Sequence, residues 1–299
     1  MFIQQRLSLW VLYTLILLTA VQAIAQSSPE KSIPVHSLST GSNFPDIIKL
    51  NNIVVDDSRC RAYFTGALGL SQYIGVIDTD SLQITGTINT GVIGFVAKHL
   101  SVNPGTGILY MLAMPPGQDK KLYRIDPVTG TVSSPLASGR APAIDTSTNK
   151  IYLSASTNTI NIYDDMLQPA GSITGVTSPG ELFIDSAQRR LYVVNPTGVS
   201  VYNIDTKGSI TKYNMPSGFT GIPRGIYVSY GKIYVSDGNA TNHSLSIIDE
   251  VSESGTCISI AENGQIMETY NGKLYEMTGY PYYAGYLPNA DGSYGVLLR

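Results

Sequence analysis

Six tyrosines set a period in this chain, and that period restricts its possible folds more than any other feature. Successive members of the set are 47, 42, 40, 42 and 41 residues apart. A repeat of about 42 residues indicates one supersecondary unit used several times, because so small a unit cannot bury its own apolar faces alone. The six are Tyr63, Tyr110, Tyr152, Tyr192, Tyr234 and Tyr275.

The residues around each tyrosine predict four strands per unit. An alternating apolar run and a polar turn precede the tyrosine, as in residues 182–190, and this is the pattern of a β-hairpin. A third strand ends in an aspartate, whose carboxylate we expect to accept the backbone N–H two residues on. A weaker fourth strand follows. The aspartates are Asp78, Asp126, Asp164, Asp205 and Asp249.

Four antiparallel strands every 42 residues predict the blade of a β-propeller. We therefore expect an all-β, six-bladed propeller with four-stranded blades over residues 46–299, with seven blades as the less favoured alternative. Pro288 stands where the sixth unit would carry its aspartate, which leaves the closure of the last blade open. Residues 26–45 form an N-terminal segment, and a strand near Ile33 to Ser39 is expected to close the ring.

The repeat resembles the YVTN-type repeat of propeller proteins. Ile233-Tyr-Val-Ser236 with Ile248-Asp249, and Leu191-Tyr-Val-Val194 with Ile204-Asp205-Thr206, match it best, and the resemblance covers residues 51–279. It implies a propeller fold. Its family spans surface-layer proteins, cofactor-dependent dehydrogenases, lyases and lactonases, so the resemblance does not select a function.

The N-terminus has the pattern of a secretory signal peptide. Arg6 precedes an apolar run over residues 7–20, and Ala23-Ile24-Ala25 has the small-residue spacing of a cleavage site. We expect cleavage after Ala25, with an uncleaved membrane anchor as the alternative. The mature chain would be secreted, extracellular or periplasmic if bacterial, without stable membrane insertion.

Composition excludes one class of partner and bears on the redox state. Without Arg6, 18 basic residues face 22 acidic ones, and the Lys and Arg residues are scattered singly, so we expect no nucleic-acid binding. The mature chain is expected to be a monomer.

Cys60 and Cys257 lie in units one and five, and that separation favours two buried free thiols over a disulfide.

One polar position per unit stands immediately before the first strand. In a propeller these positions surround one mouth of the central channel, where ligands bind. Blade packing does not require polar residues there. The pattern therefore predicts a site for a small polar, organic or anionic ligand, with Arg140 and Arg224 as charge partners, although a solvated rim would look the same. The residues are Asn52, His99, Arg140, Glu181, Arg224 and Gln265.

Catalytic residues are less clearly indicated. The candidates are His99, Glu181 and Arg224, with His99 as general base because it is the one histidine at an entry position. Segments 178–185 and 222–229 are also similar to strand entries of the senescence-marker/gluconolactonase propellers, and that similarity implies a divalent cation. Only Asn52 and Glu181 match the ligand positions, too few for a hard cation. We predict no cofactor and no metal site, with a cation at these two residues as the alternative.

Two surface features complete the prediction. Asn239 and Asn242 each begin a glycosylation acceptor motif. Four tyrosines in the last unit form either an aromatic patch for a flat ligand or the seam between the last and first blades. These are Tyr280, Tyr282, Tyr283 and Tyr286.

Three functions remain open from the sequence. The first is ligand binding at the channel mouth by a secreted propeller. The second is an enzyme at that mouth, either a metal-independent cyclase or lyase of a natural-product pathway or a lactonase-type hydrolase. A cyclase of this kind needs only an orienting pocket, so it is not excluded by a sequence without a Gly-x-Ser-x-Gly elbow or a histidine pair at zinc-ligand spacing. The third is a surface or adhesion protein.

Overall fold

The structure is a computed structural model that divides the chain into two units, Met1–Pro34 with Gly295–Arg299, and Val35–Tyr294. For residues 31–34, 49–52, 67–68, 95–98, 141, 224, 237, 259, 264–270, 273–278 and 295–298 only the backbone is described. The described residues are 31–34, 49–68, 71–81, 83–93, 95–133, 135, 139–155, 158–219, 223–237, 244–259, 264–270, 273–278 and 295–298.

The first unit contains one antiparallel pair of strands. Strand β1 (Lys31–Pro34) pairs with the last strand, β23 (Gly295–Leu298), and Ile33 lies opposite Val296. Strand β1 overlaps the predicted closing stretch at Ile33 and Pro34 and has the C-terminal segment as its partner, and a role in closing a ring stays a prediction. The predicted signal segment 1–25 and the rest of the Ile33 to Ser39 stretch lie outside the described residues.

The described residues of the second unit form six antiparallel sheets, each with its strands in chain order. Sheets 1, 3, 4 and 5 have four strands, sheet 2 has three, and sheet 6 has two among the described residues. Sheet 1 holds β2 (Lys49–Asp56), β3 (Arg61–Leu68), β4 (Ser71–Asp78) and β5 (Gln83–Ile93); sheet 2 holds β6 (Phe95–Val102), β7 (Leu109–Met114) and β8 (Lys121–Ile125); sheet 3 holds β9 (Arg140–Asp145), β10 (Lys150–Ser154), β11 (Thr159–Tyr163) and β12 (Pro169–Thr174). Sheet 4 holds β13 (Leu182–Asp185), β14 (Arg190–Asn195), β15 (Gly198–Asn203) and β16 (Ser209–Asn214); sheet 5 holds β17 (Pro223–Ser229), β18 (Lys232–Asp237), β19 (Ser244–Asp249) and β20 (Gly255–Ser259); sheet 6 holds β21 (Gly264–Tyr270) and β22 (Lys273–Thr278).

Successive sheets meet through their first strands. Strand β6 contacts β2 on one side and β9 on the other, and the series continues through β13, β17 and β21. The all-β prediction is confirmed for the described residues, which contain no α-helix and only a 3-10 turn at Asp57–Arg59. None of these residues forms a helix long and apolar enough to span a membrane.

The hydrophobic core lies between sheets, one cluster per pair of neighbours. Tyr152 packs with β13 and β14 of sheet 4, whereas its neighbours Ile151 and Leu153 pack with sheet 2. Alternate residues of a strand point to opposite faces, so an apolar-Tyr-apolar triplet serves both neighbouring sheets. Four of the repeat tyrosines are 2% exposed or less, which confirms that they pack between sheets. These are Tyr63, Tyr110, Tyr152 and Tyr192.

Two repeat tyrosines also tie their sheet to the next one by hydrogen bonds. The Tyr110 hydroxyl donates to the Asp165 carbonyl of sheet 3 at 3.1 Å, and the Tyr192 hydroxyl to the Glu250 carboxylate of sheet 5 at 2.8 Å. Burial raises the pKa of Tyr110 to about 12, so the hydroxyl stays protonated and remains a donor.

Three of the five predicted turn aspartates behave as expected, whereas Asp78 accepts the N–H of Ser81, three residues on, at 2.7 Å. Asp126, Asp164 and Asp249 accept the N–H two residues on at 2.9 to 3.0 Å. In sheet 4 the prediction is wrong: Asn203 accepts the N–H groups of Asp205 and Thr206, and this leaves Asp205 to bind Arg189. An asparagine two positions earlier forms the same kind of turn, so the aspartate is available for an ion pair.

The hairpins that join first to second strands form a polar network, and we call this end of the sheets the hairpin end. Arg189 of sheet 4 donates to both carboxylate oxygens of Asp145 in sheet 3 at 2.9 Å and to Asp205 at 2.6 Å. Arg59 of sheet 1 donates to the Pro104 carbonyl of sheet 2 at 2.7 Å. These bonds fasten neighbouring sheets to one another.

The two cysteines are free, as predicted, but the prediction that both are buried is wrong. Cys60 is exposed and Cys257 half-buried. Cys60 follows the 3-10 turn in a left-handed conformation with φ of 50°, at a hairpin that faces solvent. The charge of Asp80, with a hydrogen bond to it, raises the pKa of the Cys60 thiol. The thiol is therefore a weak nucleophile at neutral pH.

Candidate functional site

The strand register places five of the six predicted site residues at one equivalent position. Each lies opposite the residue two positions after the repeat tyrosine of its own sheet. The pairs are Asn52 with Thr65, His99 with Leu112, Arg140 with Ser154, Glu181 with Val194, and Gln265 with Met277. In sheet 5 that position is Gly225, opposite Ser236, and the predicted Arg224 precedes it. We call this end of the sheets the entry end.

The strand register shifts at this position in sheets 1, 2, 3 and 5, and one residue after Gln265 in sheet 6. The register shifts between Leu50 and Asn52 in sheet 1, and Arg224 is the extra residue of sheet 5. In sheet 4 the Gly180 N–H and the Glu181 carbonyl both bond to Val194, so two residues oppose one. Bulges re-aim side chains and are over-represented beside active sites. These register shifts could not be predicted from the sequence, because one extra residue does not change the pattern of a strand entry that is already polar.

The structure brings two of the predicted residues together. His99 Nε2 lies 3.7 Å from Glu181 Oε2, and the two side chains are 16% and 18% exposed. His99 belongs to sheet 2 and Glu181 to sheet 4, so the contact spans the entry of sheet 3. The distance is longer than a hydrogen bond but within the range of an ion pair when the imidazole is protonated. Side chains from non-adjacent sheets therefore converge at the entry end.

Arg140 occupies the same position in sheet 3, between the two residues that meet. It is exposed, whereas His99 and Glu181 are mostly buried. The bulged residue Ala141 follows it directly. No hydrogen bond or ion pair of Arg140 occurs within the described part of the chain. A guanidinium in this situation is able to bind an anion from solvent.

The other predicted residues are located by backbone only. Asn52, Arg224 and Gln265 lie at or next to the entry position, and their side chains are outside the described set. The glycosylation candidates Asn239 and Asn242 and the tyrosines Tyr280, Tyr282, Tyr283 and Tyr286 lie outside the described residues altogether.

Buried hydroxyls line the second strands at this end. Ser154 donates to the Gly180 carbonyl at 2.6 Å and so anchors the bulge that carries Glu181. Thr65 and Ser236 hold the equivalent positions of sheets 1 and 5, are fully buried, and have no hydrogen-bond partner among the described residues. Sequence reasoning missed all three. The available signal was a small polar residue two positions after three of the six repeat tyrosines.

The cation alternative gains no support from the geometry. Among the described residues no group of three or more His, Cys, Asp or Glu side chains is placed to hold a metal ion. Glu181, one of the two matching residues, faces the His99 imidazole. The described site therefore offers a carboxylate, an imidazole and a guanidinium, a set suited to hydrogen bonding, ion pairing and proton transfer.

No family model and no curated relative matches the chain. Several solved structures are similar to it. The chain is similar to Kuenenia stuttgartiensis hydrazine synthase, at 15% identity and a TM-score of 0.55 over 76% of this chain and 72% of that one. It is similar to the WD40 β-propeller domain of Doa1, at 14% identity and a TM-score of 0.58 over 77% and 75% of the two chains.

A third similar structure is the dihydro-heme d1 dehydrogenase NirN in complex with DHE. Identity is 14% and the TM-score 0.52, over 79% of this chain and 53% of that one. Identities this low carry information about the fold alone. The YVTN-type and gluconolactonase-like resemblances stay predictions. These similarities, together with the six described sheets joined through their first strands, show that this chain has the β-propeller fold.

Proposed function

We propose that the chain is a secreted, six-bladed propeller of the YVTN-repeat type that binds a small polar organic ligand at the entry end of its sheets. Six repeats, six sheets and first strands that contact one another in chain order support the blade count. Ring closure would bring the six equivalent entry positions around one opening, as propellers do with their ligand sites.

The contact between His99 and Glu181 carries the proposal. Two residues chosen from the sequence only because they precede a first strand lie 3.7 Å apart although a whole sheet separates them. Both are largely shielded from water, which strengthens their electrostatic effect on a ligand. A merely solvated rim would favour exposed, separately hydrated side chains.

Thermal unfolding in the presence of candidate ligands tests the proposal. The panel consists of lactate, citrate, glucose and gluconolactone. A ligand at 100 times its Kd stabilises the folded state by about 2.7 kcal/mol, which raises Tm by roughly 6 °C for a domain of this size. We expect at least one compound to do so, and His99→Ala and Glu181→Ala each to change the size of its shift in Tm.

Two variants at the hairpin end serve as matched controls. Arg61→Ala and Glu253→Ala each remove an exposed charge at the opposite end of the sheets. Both should keep the full ligand-induced shift in Tm. Equal losses from entry-end and hairpin-end variants, or no shift with any compound, would contradict the proposal.

A second candidate function rests on the same contact. An imidazole held beside a carboxylate is a common general-base arrangement, so the entry end also fits a metal-independent lyase, cyclase or lactone hydrolase. Turnover of gluconolactone tests the hydrolase. We expect the rate to fall at least 100-fold in His99→Gln and to be unaffected by chelator. A rate equal to that of buffer alone argues for binding without catalysis.

Secretion is proposed on the N-terminal sequence pattern. Cleavage after Ala25 would leave Gln26 as the first residue of the mature protein, and N-terminal sequencing of the exported chain checks this. In a eukaryotic host, glycan at Asn239 or Asn242 would add a mass that the double Asn→Gln variant lacks. An intact N-terminus on membrane-bound protein would favour the anchor instead.

A further inference from the structure

Three residues able to carry charge occupy the equivalent entry positions of three consecutive sheets. They are His99 in sheet 2, Arg140 in sheet 3 and Glu181 just before β13 of sheet 4. Their charges cancel when the imidazole is neutral, because Arg140 offsets Glu181. Protonation of His99 gives the group a net charge of +1. The charge of the site therefore depends on the state of a single imidazole.

We propose that the entry end binds a small carboxylate through Arg140 and that protonation of His99 strengthens this binding. The inference rests on the proposed function and names its ligand class. Arg140 is exposed and offers a planar fork that matches a carboxylate. Glu181 repels a neighbouring anion. The protonated imidazole 3.7 Å from Glu181 cancels that repulsion.

Other charges near His99 do not titrate in the same range. The strands packed against β6 are β2, β3, β7 and β9. At the entry end these elements and β6 itself contribute Lys49, Lys98 and Arg140, and lysine and arginine stay protonated well above pH 8. The carboxylates Asp56 and Asp145 lie at the far ends of β2 and β9, at the hairpin end. Histidine alone changes its charge between about pH 5 and 8.

Calorimetric titration with lactate at pH 5.5 and pH 7.5 tests the inference. Lactate keeps its charge at both values, so a difference in affinity reports on the protein. We expect binding about fivefold tighter at pH 5.5, which is what one pKa unit of coupling between imidazole and ligand gives over this pH range. His99→Gln should bind lactate with the same affinity at both pH values. Arg140→Gln should weaken binding at least tenfold at both.

Further arms separate this inference from the proposed function. Arg61→Ala, at the hairpin end, should behave like the parent protein. Ethanolamine serves as the cationic probe and glucose as the neutral one. Binding of ethanolamine or glucose without lactate would overturn the inference and keep the function. Unchanged pH dependence in a folded His99→Gln variant would overturn the role of His99. Absence of binding by all three probes would overturn the function as well.

Discussion

The two ends of the sheets use polar residues in opposite ways. At the hairpin end, Asp145 is fully buried, and Ser147, Thr148 and Arg189 all donate hydrogen bonds to it. At the entry end, Arg140 is exposed, Glu181 meets His99 only at 3.7 Å, and the buried Thr65 hydroxyl has no partner in the part of the chain that the structure describes. Polar groups with complete hydrogen bonding stabilise the fold, whereas incompletely bonded ones are available to a ligand.

Backbone geometry follows the same division. The hairpin end consists of tight turns closed by aspartate, with bonds from one sheet to the next. Each first strand has its bulge near the entry end, where the strand ladder is interrupted. An interrupted ladder is locally less stable and more adaptable. The hairpin end therefore stabilises the fold, and the entry end is the end we expect to bind a ligand.

The largest expected effect is at the hairpin end. Asp145→Ala removes the buried carboxylate that binds Arg189 and should lower the free energy of unfolding by about 3 kcal/mol. Glu181→Gln, at the entry end, should cost less than about 0.5 kcal/mol, because its contact is longer and partly exposed. Urea unfolding at pH 7 measures both. Equal costs would remove the distinction between the two ends.

Acid should weaken the hairpin end by a smaller amount. Burial by itself raises the pKa of Asp145, but hydrogen bonds from Thr148, Ser147 and Arg189 outweigh it and lower the pKa to about 2. The folded-state pKa lies below the unfolded value of about 3.9, so this stabilisation is present above pH 4 and is lost as pH falls toward 2. The ionised Asp145 carboxylate therefore contributes about 2 kcal/mol to the free energy of unfolding above pH 4.

Urea unfolding between pH 5 and pH 2 isolates that contribution. Asp145→Asn cannot titrate, so its stability should fall by about 2 kcal/mol less than that of the parent over this range. Parallel curves for the two proteins would show that Asp145 does not stabilise the fold through its charge.

Much of the hairpin end could be predicted from the sequence, because its signals are local. The repeat tyrosines and the turn aspartates Asp126, Asp164 and Asp249 act over a few residues, and they lie where the period placed them. The exchange of roles between Asn203 and Asp205 escaped prediction, because either residue can close such a turn.

The entry end was predictable in position but not in geometry. One polar residue per unit was visible, and the register places five of the six at equivalent positions. The contact between His99 and Glu181 was not visible, since it joins residues 82 positions apart across an intervening sheet. The exposure of Cys60 was missed for a similar reason: its left-handed turn conformation places it outside the strand that the pattern suggested.

A moderate effect is expected at the tyrosines, where two hydroxyls differ in their bonding. The Tyr192 hydroxyl binds Glu250 at 2.8 Å, whereas the buried Tyr63 hydroxyl has no partner within the described ranges. Tyr192→Phe should therefore cost about 1 to 1.5 kcal/mol, and Tyr63→Phe should be neutral or slightly stabilising. Thermal unfolding of the two variants compares them directly. A loss in Tyr63→Phe as large as in Tyr192→Phe would mean that the Tyr63 hydroxyl is bonded in solution.

The smallest expected effect separates two hydroxyls within the entry end itself. Ser154 anchors the bulge of sheet 4 at 2.6 Å, so Ser154→Ala should lower the free energy of unfolding by about 1 kcal/mol. Thr65→Val replaces an unpartnered hydroxyl with a methyl group of the same shape and should be neutral or stabilising by a few tenths of a kcal/mol. Because Ser154 holds the strand entry that carries Glu181, Ser154→Ala should also weaken ligand binding. If Thr65→Val weakens ligand binding and Ser154→Ala does not, the Thr65 hydroxyl belongs to the ligand site, and that site includes sheet 1.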